Sequence, residues 1–465
     1  MQWNERGDHL LLGIKTLGNA TILVYDEAPL LATDPWLGEP EGACLGSWGL
    51  LYPIPESEQR EILAAPWVWF SHGHSDHLNA ASLPHFRARK ILLPDHVGGR
   101  IARDLRELGY DVRVLPHGEW VPLSKLVKIL CLGDAAQDAV LLIDIGGRLI
   151  VNVNDGFARG LRPLLRRLIE PYPASYLVKA AGLGVGDMIN FFDEEGRRAL
   201  PVHVDPDRLA GRDLSATARR FGVTHAMPFS FYHCYQRSDS AWANDYVADV
   251  AIASRGFDSR FAELVPPYGF LDCTSGENTS LGIARTEPTI RPPEAFGDSW
   301  SDPLESGEWL EVAEYFQRKE MLHDHFGFIR VRAGGVERSV DLRGPRDRGI
   351  SFEVPRASLL ASVRHETFDE LLMGNFMRTT LHGVESLYRP DFSNTVGKVA
   401  DNGRAQTREE VLRYRRAYDE RIGPDLARAQ MVERITGALH GVLARHASRS
   451  LYLGARNLHR RIRRW

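Results

Sequence analysis

Seven consecutive residues, Ser71-His72-Gly73-His74-Ser75-Asp76-His77, constrain this chain more than any other stretch. They follow a short apolar run, Trp67-Val68-Trp69-Phe70, bounded by Pro66 on one side and the glycine-bearing turn on the other. Such a run between breakers is expected to form a buried strand whose end carries the chemistry. The turn leaving it can present His72 and His74 to one cation. Asp76 and His77 then face a second cation a few ångströms away. Neutral imidazole and carboxylate suit zinc, iron or manganese, and two ions about 3.5–4 Å apart can activate a water and hold a substrate oxygen. A chance cluster of surface histidines accounts for one His-x-His more readily than for the full spacing directly after a strand. Asp76 and His77 are the catalytic candidates, with His72 and His74 as their metal-holding partners.

The surrounding chain reads as layered α/β. Residues 9 to 37 form strand-like runs broken at Gly18-Asn19, and further runs follow at 90–94, 112–116, 127–132, 139–144 and 148–153. Helical patterns at 99–108 and 161–169 alternate with them, which is the pattern of helices packed on sheets. Hydrophobic residues make up 43% and charged residues 25%, so the chain can bury a core and is not a disordered tract. A formal net charge of −4 gives no global pull toward nucleic acid. The four cysteines, Cys44, Cys131, Cys234 and Cys273, form no paired motif, and the polar N-terminus lacks an apolar signal region. Together these features lead us to expect a cytoplasmic protein.

Residues 274 to 306 are rich in Gly, Pro, Ser and acids, as linkers are. Beyond them Gly334-Gly335 is expected to turn a hairpin, 350–354 to add a strand, and 357–377 to form a helix. Thr407-x-x-Glu410 opens a last helix as a capping box, and Gly423-Pro424 must break or kink it. The expected division is a catalytic domain at 8–270, a linker or extension at 271–310, a small α+β accessory domain at 311–400, and a helical region at 401–465. From Arg445 to Trp465 the chain is dense in arginine and holds no acid, which suits contact with an anionic surface. His323-Asp324-His325 lacks the following Asp-His pair and is read as a surface feature.

The His-x-His-x-Asp-His motif resembles the signature of the metallo-β-lactamase superfamily. Gly18-Asn19-Ala20-Thr21 and Thr33-Asp34-Pro35-Trp36-Leu37 look like that family's opening strands and the turn beneath its site. The resemblance implies an αββα sandwich, here followed by a C-terminal α+β and helical accessory region. It also places Asp155, after Asn152-Val153-Asn154, as a carboxylate bridging both metals. Where the family supplies a third histidine to the first metal, this chain reads Leu132-Gly133-Asp134-Ala135-Ala136-Gln137-Asp138. Either Asp134 substitutes, or that metal has fewer protein ligands. The last ligand of the second metal comes from a late loop, where His233 is the candidate ahead of His225, His203 and His117.

Within the superfamily the chain resembles the CMP-N-acetylneuraminate hydroxylase group. The shared blocks include Trp48 to Glu56, the metal motif, Leu115 to Trp120, Gly133 to Asp155, Ala180 to Gly184 and Asp298-Ser299-Trp300. The cysteines do not form that group's Rieske iron–sulfur pattern, and its late-loop histidine aligns with Arg237, four residues after His233. Sialic acid hydroxylation is therefore not carried over. The leading expectation is a metal-dependent hydrolase with two divalent transition-metal ions, acting on a small polar, sugar- or nucleotide-linked substrate. The alternative is a di-iron oxygenase served by an external reductase.

Overall fold

The computed structural model describes residues 11–156, 160–180, 190–199, 210–247 and 249–422. His203, the 181–184 block, the Gly423-Pro424 break and the arginine-rich tail lie outside the described residues.

Two sheets face one another. The first runs Asn278–Ser280, Gly269–Asp272, Leu12–Leu17, Thr21–Asp26, Ala28–Thr33, Trp67–Trp69, Lys90–Pro94, Asp111–Leu115. The second runs Glu263–Leu264, His225–Phe229, Ser175–Ala180, Arg148–Asn154, Ala139–Ile145, Val127–Gly133, Trp120–Pro122. Each is antiparallel in one half and parallel in the other. Ala139–Ile145 is buried along its whole length, which explains its unbroken apolar run: both faces of the sheet are covered. Gly146 and Gly147, both in the left-handed region, supply the turn that joins it to Arg148–Asn154.

Side chains from both sheets, among them Ile14, Ile22, Trp69, Leu92, Ile129, Leu141 and Val178, form the core between them. Helices Glu56–Ala64 and Arg100–Glu107 cover the outer face of the first sheet through Ile62, Ala102 and Leu105. Arg162–Ile169 and Ala210–Phe221 cover the second through Leu165, Leu214 and Phe221. The layers are helix, sheet, sheet, helix.

A C-terminal unit has a third sheet, in the order Arg198–Ala199, Phe191–Phe192, Arg378–His382, Gly349–Glu353, Phe328–Ala333, Val336–Asp341. Its hairpin turns at Gly334-Gly335 as expected, with both glycines at positive φ. The helix expected over 357–377 is instead two, Arg356–Arg364 and Phe368–Met373. Glu366, at positive φ, leaves helical space between them, so the chain turns before restarting at Phe368. The strands Phe191–Phe192 and Arg198–Ala199 come from the first part of the chain and extend this third sheet, so the two units share a sheet. Thr407 and Glu410 form the reciprocal cap opening the helix Arg408–Ile422. No helix among the described residues is long and apolar enough to cross a membrane.

Candidate metal centre

Trp67–Trp69 lies between two parallel neighbours, with Val68 and Trp69 buried. Its C-terminal end carries the motif, and His77 and Leu78 close a turn by donating their N–H groups to the His74 carbonyl. Burial fixes each side chain there. His72 Nε2 meets His74 Nδ1 at 2.7 Å. His77 Nε2 lies 3.3 Å from Asp76 Oδ2 and 3.3 Å from Asp155 Oδ2. Ligand atoms held about 2.1 Å from one tetrahedral ion sit roughly 3.4 Å apart, so this spacing matches a shared cation. His72, His77 and Asp155 offer ligand atoms all within 4.8 Å of one another.

The second coordination layer is assembled from distant strands. Asn19, in the first hairpin turn, donates to Asp76 Oδ2 at 2.9 Å. Asp34 accepts from the Ser71 N–H at 2.7 Å, and its other oxygen lies 3.3 Å from His77 Nδ1. His233, on a short strand paired with Trp48–Leu50, stacks flat on the Trp48 indole at 3.5 Å between ring centres. Ser230 donates to Asp155 at 3.2 Å.

Electrostatics follow from this crowding. Burial pushes the Asp76 carboxyl up, but His77 and then His74 pull it down further, to about 2. Burial also pushes His77 down, and the charges of Asp76, Asp34 and Asp155 outweigh it, leaving the imidazole well above its ordinary value. His72 is held well below, by burial and then by the neighbouring His77 and His74. Burial lowers His233 to about 4 against the opposing pull of Asp76 and Asp155, so it is a neutral imidazole.

Asp76 Oδ1, His77 Nε2 and both ring nitrogens of His233 are buried with no hydrogen-bond partner. Buried polar atoms left without a partner cost about 1–3 kcal/mol each, so several in one cluster mark a place built for something else. A divalent cation would satisfy Asp76 Oδ1, His77 Nε2 and one nitrogen of His233, since imidazoles and carboxylates are its ligands. The donor set fits the metal.

Of the sequence candidates, His72, His74, Asp76, His77 and Asp155 converge at the strand end, and His233 faces Asp76 and Asp155 from the late loop. Asp134 Oδ1 accepts from the backbone N–H groups of Ala136 and Asp138, at 2.8 and 3.2 Å, within its own turn. Asp138, four residues on, is the carboxylate beside His72: its Oδ1 lies 3.6 Å from His72 Nδ1. Burial, then the charges of Asp134 and Asp155, push the Asp138 carboxyl well above its ordinary value. Sequence reasoning passed over it because an aspartate ending a loop carries no local mark of burial.

His96, also buried, is tied by Nε2 to the Ser71 carbonyl at 3.0 Å and stands behind the motif. Arg237 is elsewhere, fully buried among Asp239, Asp298 and the Leu45 carbonyl. His225 stacks on Tyr176, and half-buried His323 contacts the Gln317 carbonyl in the C-terminal unit. His117 is partly buried at the bridge to Cys131.

Two facing mixed sheets with helices outside, and a His/Asp cluster at a strand end between them, decide the architecture. This is the metallo-β-lactamase fold. At this strand end the fold gathers side chains of metal-ligating type.

No family model matches the chain. The cytidine monophosphate-N-acetylneuraminic acid hydroxylase of Danio rerio is 29% identical over 131 residues, covering 26% of this chain and 22% of that protein. The inactive cytidine monophosphate-N-acetylneuraminic acid hydroxylase of Homo sapiens is 28% identical over 131 residues, covering 26% of each chain. The likeness thus spans about a quarter of either relative.

Among solved structures, the metallo hydrolase Igni18 of Ignicoccus hospitalis aligns over 59% of this chain and 99% of its own, at 14% identity and a TM-score of 0.35. CmlA, a diiron β-hydroxylase from Streptomyces venezuelae, aligns over 56% of this chain and 53% of its own, at 14% identity and 0.33.

Proposed function

We propose that this chain is a dinuclear metal-dependent hydrolase acting on a small polar substrate, sugar- or nucleotide-linked in class. The observation that carries it is the group of buried ligand atoms left without partners at the strand end. In this reading His72, His74 and a carboxylate of the 134–138 loop hold the first ion. Asp76, His77 and His233 hold the second, and Asp155 is shared. When bound, the pair supplies a water acidified toward neutrality and a Lewis acid for the substrate oxygen.

The chain's own residues do the rest. Asn19 and Asp34 lock Asp76 and His77 in place, and Trp48 fixes the plane of His233. Asp155, with 20% of its side chain exposed, is more open than His72 or His77, so substrate approaches from its side. The arginine-rich tail remains a proposed contact for anionic surfaces.

A second reading, a di-iron oxygenase with an external reductase, is favoured by one observation. The 134–138 loop offers carboxylates and no imidazole where a third histidine would suit zinc, and oxygen donors suit iron. The hydroxylase relatives point the same way.

Metal analysis of the purified chain, followed by assays of each reconstituted form, tests both. The hydrolase reading expects two ions and anaerobic cleavage of activated ester or phosphodiester probes by the zinc form, lost in His77→Ala. An inert zinc form, together with an iron form that consumes oxygen when given a reductant, would reverse the ranking.

A further inference from the structure

The motif loop is gripped from the C-terminal unit. Helix Phe368–Met373 opens with Asp369 and Glu370, both buried. Glu370 accepts from the Ser75 N–H at 2.8 Å and from its hydroxyl at 2.5 Å. The Ser75 hydroxyl oxygen in turn accepts from the Cys44 N–H at 2.7 Å. Asp369 Oδ2 stands 2.9 Å from His74 Nε2, while His74 Nδ1 is the nitrogen turned toward His72.

An imidazole that ligates a cation through one nitrogen keeps its proton on the other. A carboxylate accepting that proton fixes the tautomer and the ring's orientation, and raises the basicity of the ligating nitrogen. Lys398 Nζ lies 3.5 Å from the same Asp369 oxygen and 2.7 Å from His74 Nε2. One ring nitrogen cannot donate to a carboxylate and accept from an ammonium at once. With Nδ1 on a cation, Nε2 carries the proton and donates to Asp369, and Lys398 balances the carboxylate's charge.

We propose that Asp369 is a positioning residue for the metal centre: it holds His74 in the ligating orientation, so the site is completed only when the C-terminal unit is docked. The inference rests on the reading of His72 and His74 as metal ligands. It also gives the accessory unit a direct role, since its carboxylates hold two consecutive residues of the motif.

The test compares the full-length chain with Asp369→Asn, Asp369→Ala and Asp369→Ala/Lys398→Met. Three readouts are bound zinc, zinc affinity by chelator competition, and the visible spectrum of the cobalt(II) form. Thermal melts of the metal-free proteins report folding. Wild type should hold two ions. Asp369→Ala should lose one of them or bind it about 10–100-fold more weakly, with altered cobalt bands. Asp369→Asn, which still offers an oxygen to the Nε2 proton, should recover part of the loss at an unchanged metal-free melting temperature. If the alanine variant does not fold, the asparagine variant carries the comparison alone.

Wild-type affinity and spectrum in the variants would overturn the proposal. So would full recovery in the double variant, which would trace the defect to an unpaired Lys398. A wild-type chain that binds no metal at all would instead sink the underlying ligand assignment.

Discussion

Asp134 and Asp138 share one loop, yet their surroundings give them different work. Asp134 ties down the turn by accepting two backbone N–H groups, whereas Asp138 is buried against the edge of His72. Replacing Asp134 by alanine should therefore cost stability, about 1 kcal/mol for lost turn hydrogen bonds, and leave both ions in place. Asp138→Ala should instead weaken binding of the first ion, because Asp138 faces the outer nitrogen of His72 as an orienting carboxylate. Metal content and melting temperature, measured on both variants, separate the effects; an Asp134→Ala protein with one ion and an intact melt would exchange the assignments. The same logic runs through the motif. His77 has Asp34 at its outer nitrogen and His74 has Asp369, so each ring is oriented by a carboxylate far from it in sequence.

Strands and helices were legible in the sequence wherever periodicity is enforced by burial. The runs near 127, 139 and 148 sit in a sheet covered on both faces, and such strands advertise themselves as unbroken apolar stretches. The short strands Phe191–Phe192 and Arg198–Ala199 have no room to show a period. The break at Glu366 is set by its tertiary surroundings, where Arg318 and Arg404 pair with its carboxylate. Asp369 was invisible as a partner of His74 because 295 positions separate them. The metal motif was readable because its ligands are local; its supports were not, because they arrive from other elements. One of those elements carries a testable charge pair. Lys319 lies just beyond the C-cap of helix Ser306–Gln317, its ammonium 3.1 Å from Asp401 on Asn394–Asn402, and Tyr315 donates to the same carboxylate at 2.6 Å. Burial lowers Lys319 to about 8 despite the pull of Asp401. Between pH 8 and 10.5 the unfolded chain then binds more protons at this lysine than the folded one, so the pair's contribution to stability rises with pH across that window. Burial raises the Asp401 carboxyl against the pull of Lys319. Lys319→Met alone should cost about 3–5 kcal/mol by stranding a buried carboxylate, and Lys319→Met/Asp401→Asn should recover most of it. Denaturant melts on either side of the lysine's midpoint would show the wild type gaining on the double variant as pH rises; parallel pH responses would count against the depressed lysine.

At the scale of the whole molecule, the metal domain and the C-terminal unit are welded by buried polar groups. Arg237, fully buried, pairs with Asp239 at 2.9 Å and Asp298 at 3.2 Å, donates to the Leu45 carbonyl, and lies 3.9 Å over the Phe376 ring. Ser47 donates to the Gly374 carbonyl and the Trp48 indole N–H to Met373, so the wall that holds His233 also touches the end of helix Phe368–Met373. Units joined this way should unfold together, and a ligand of one should stabilise both. A metal present at about 100 times its dissociation constant adds about 2.7 kcal/mol to the state that binds it. Calorimetry of wild type should accordingly show one transition that moves upward as a whole on metal loading. Arg237→Met leaves buried Asp298 and partly exposed Asp239 without their guanidinium, at a cost of about 3–5 kcal/mol, and should split the trace into two transitions, of which metal moves only the one from the first domain. Two separate transitions in the wild type, with the second indifferent to metal, would mean the units are thermodynamically independent. Asp369 would then reach His74 across a contact that opens on its own.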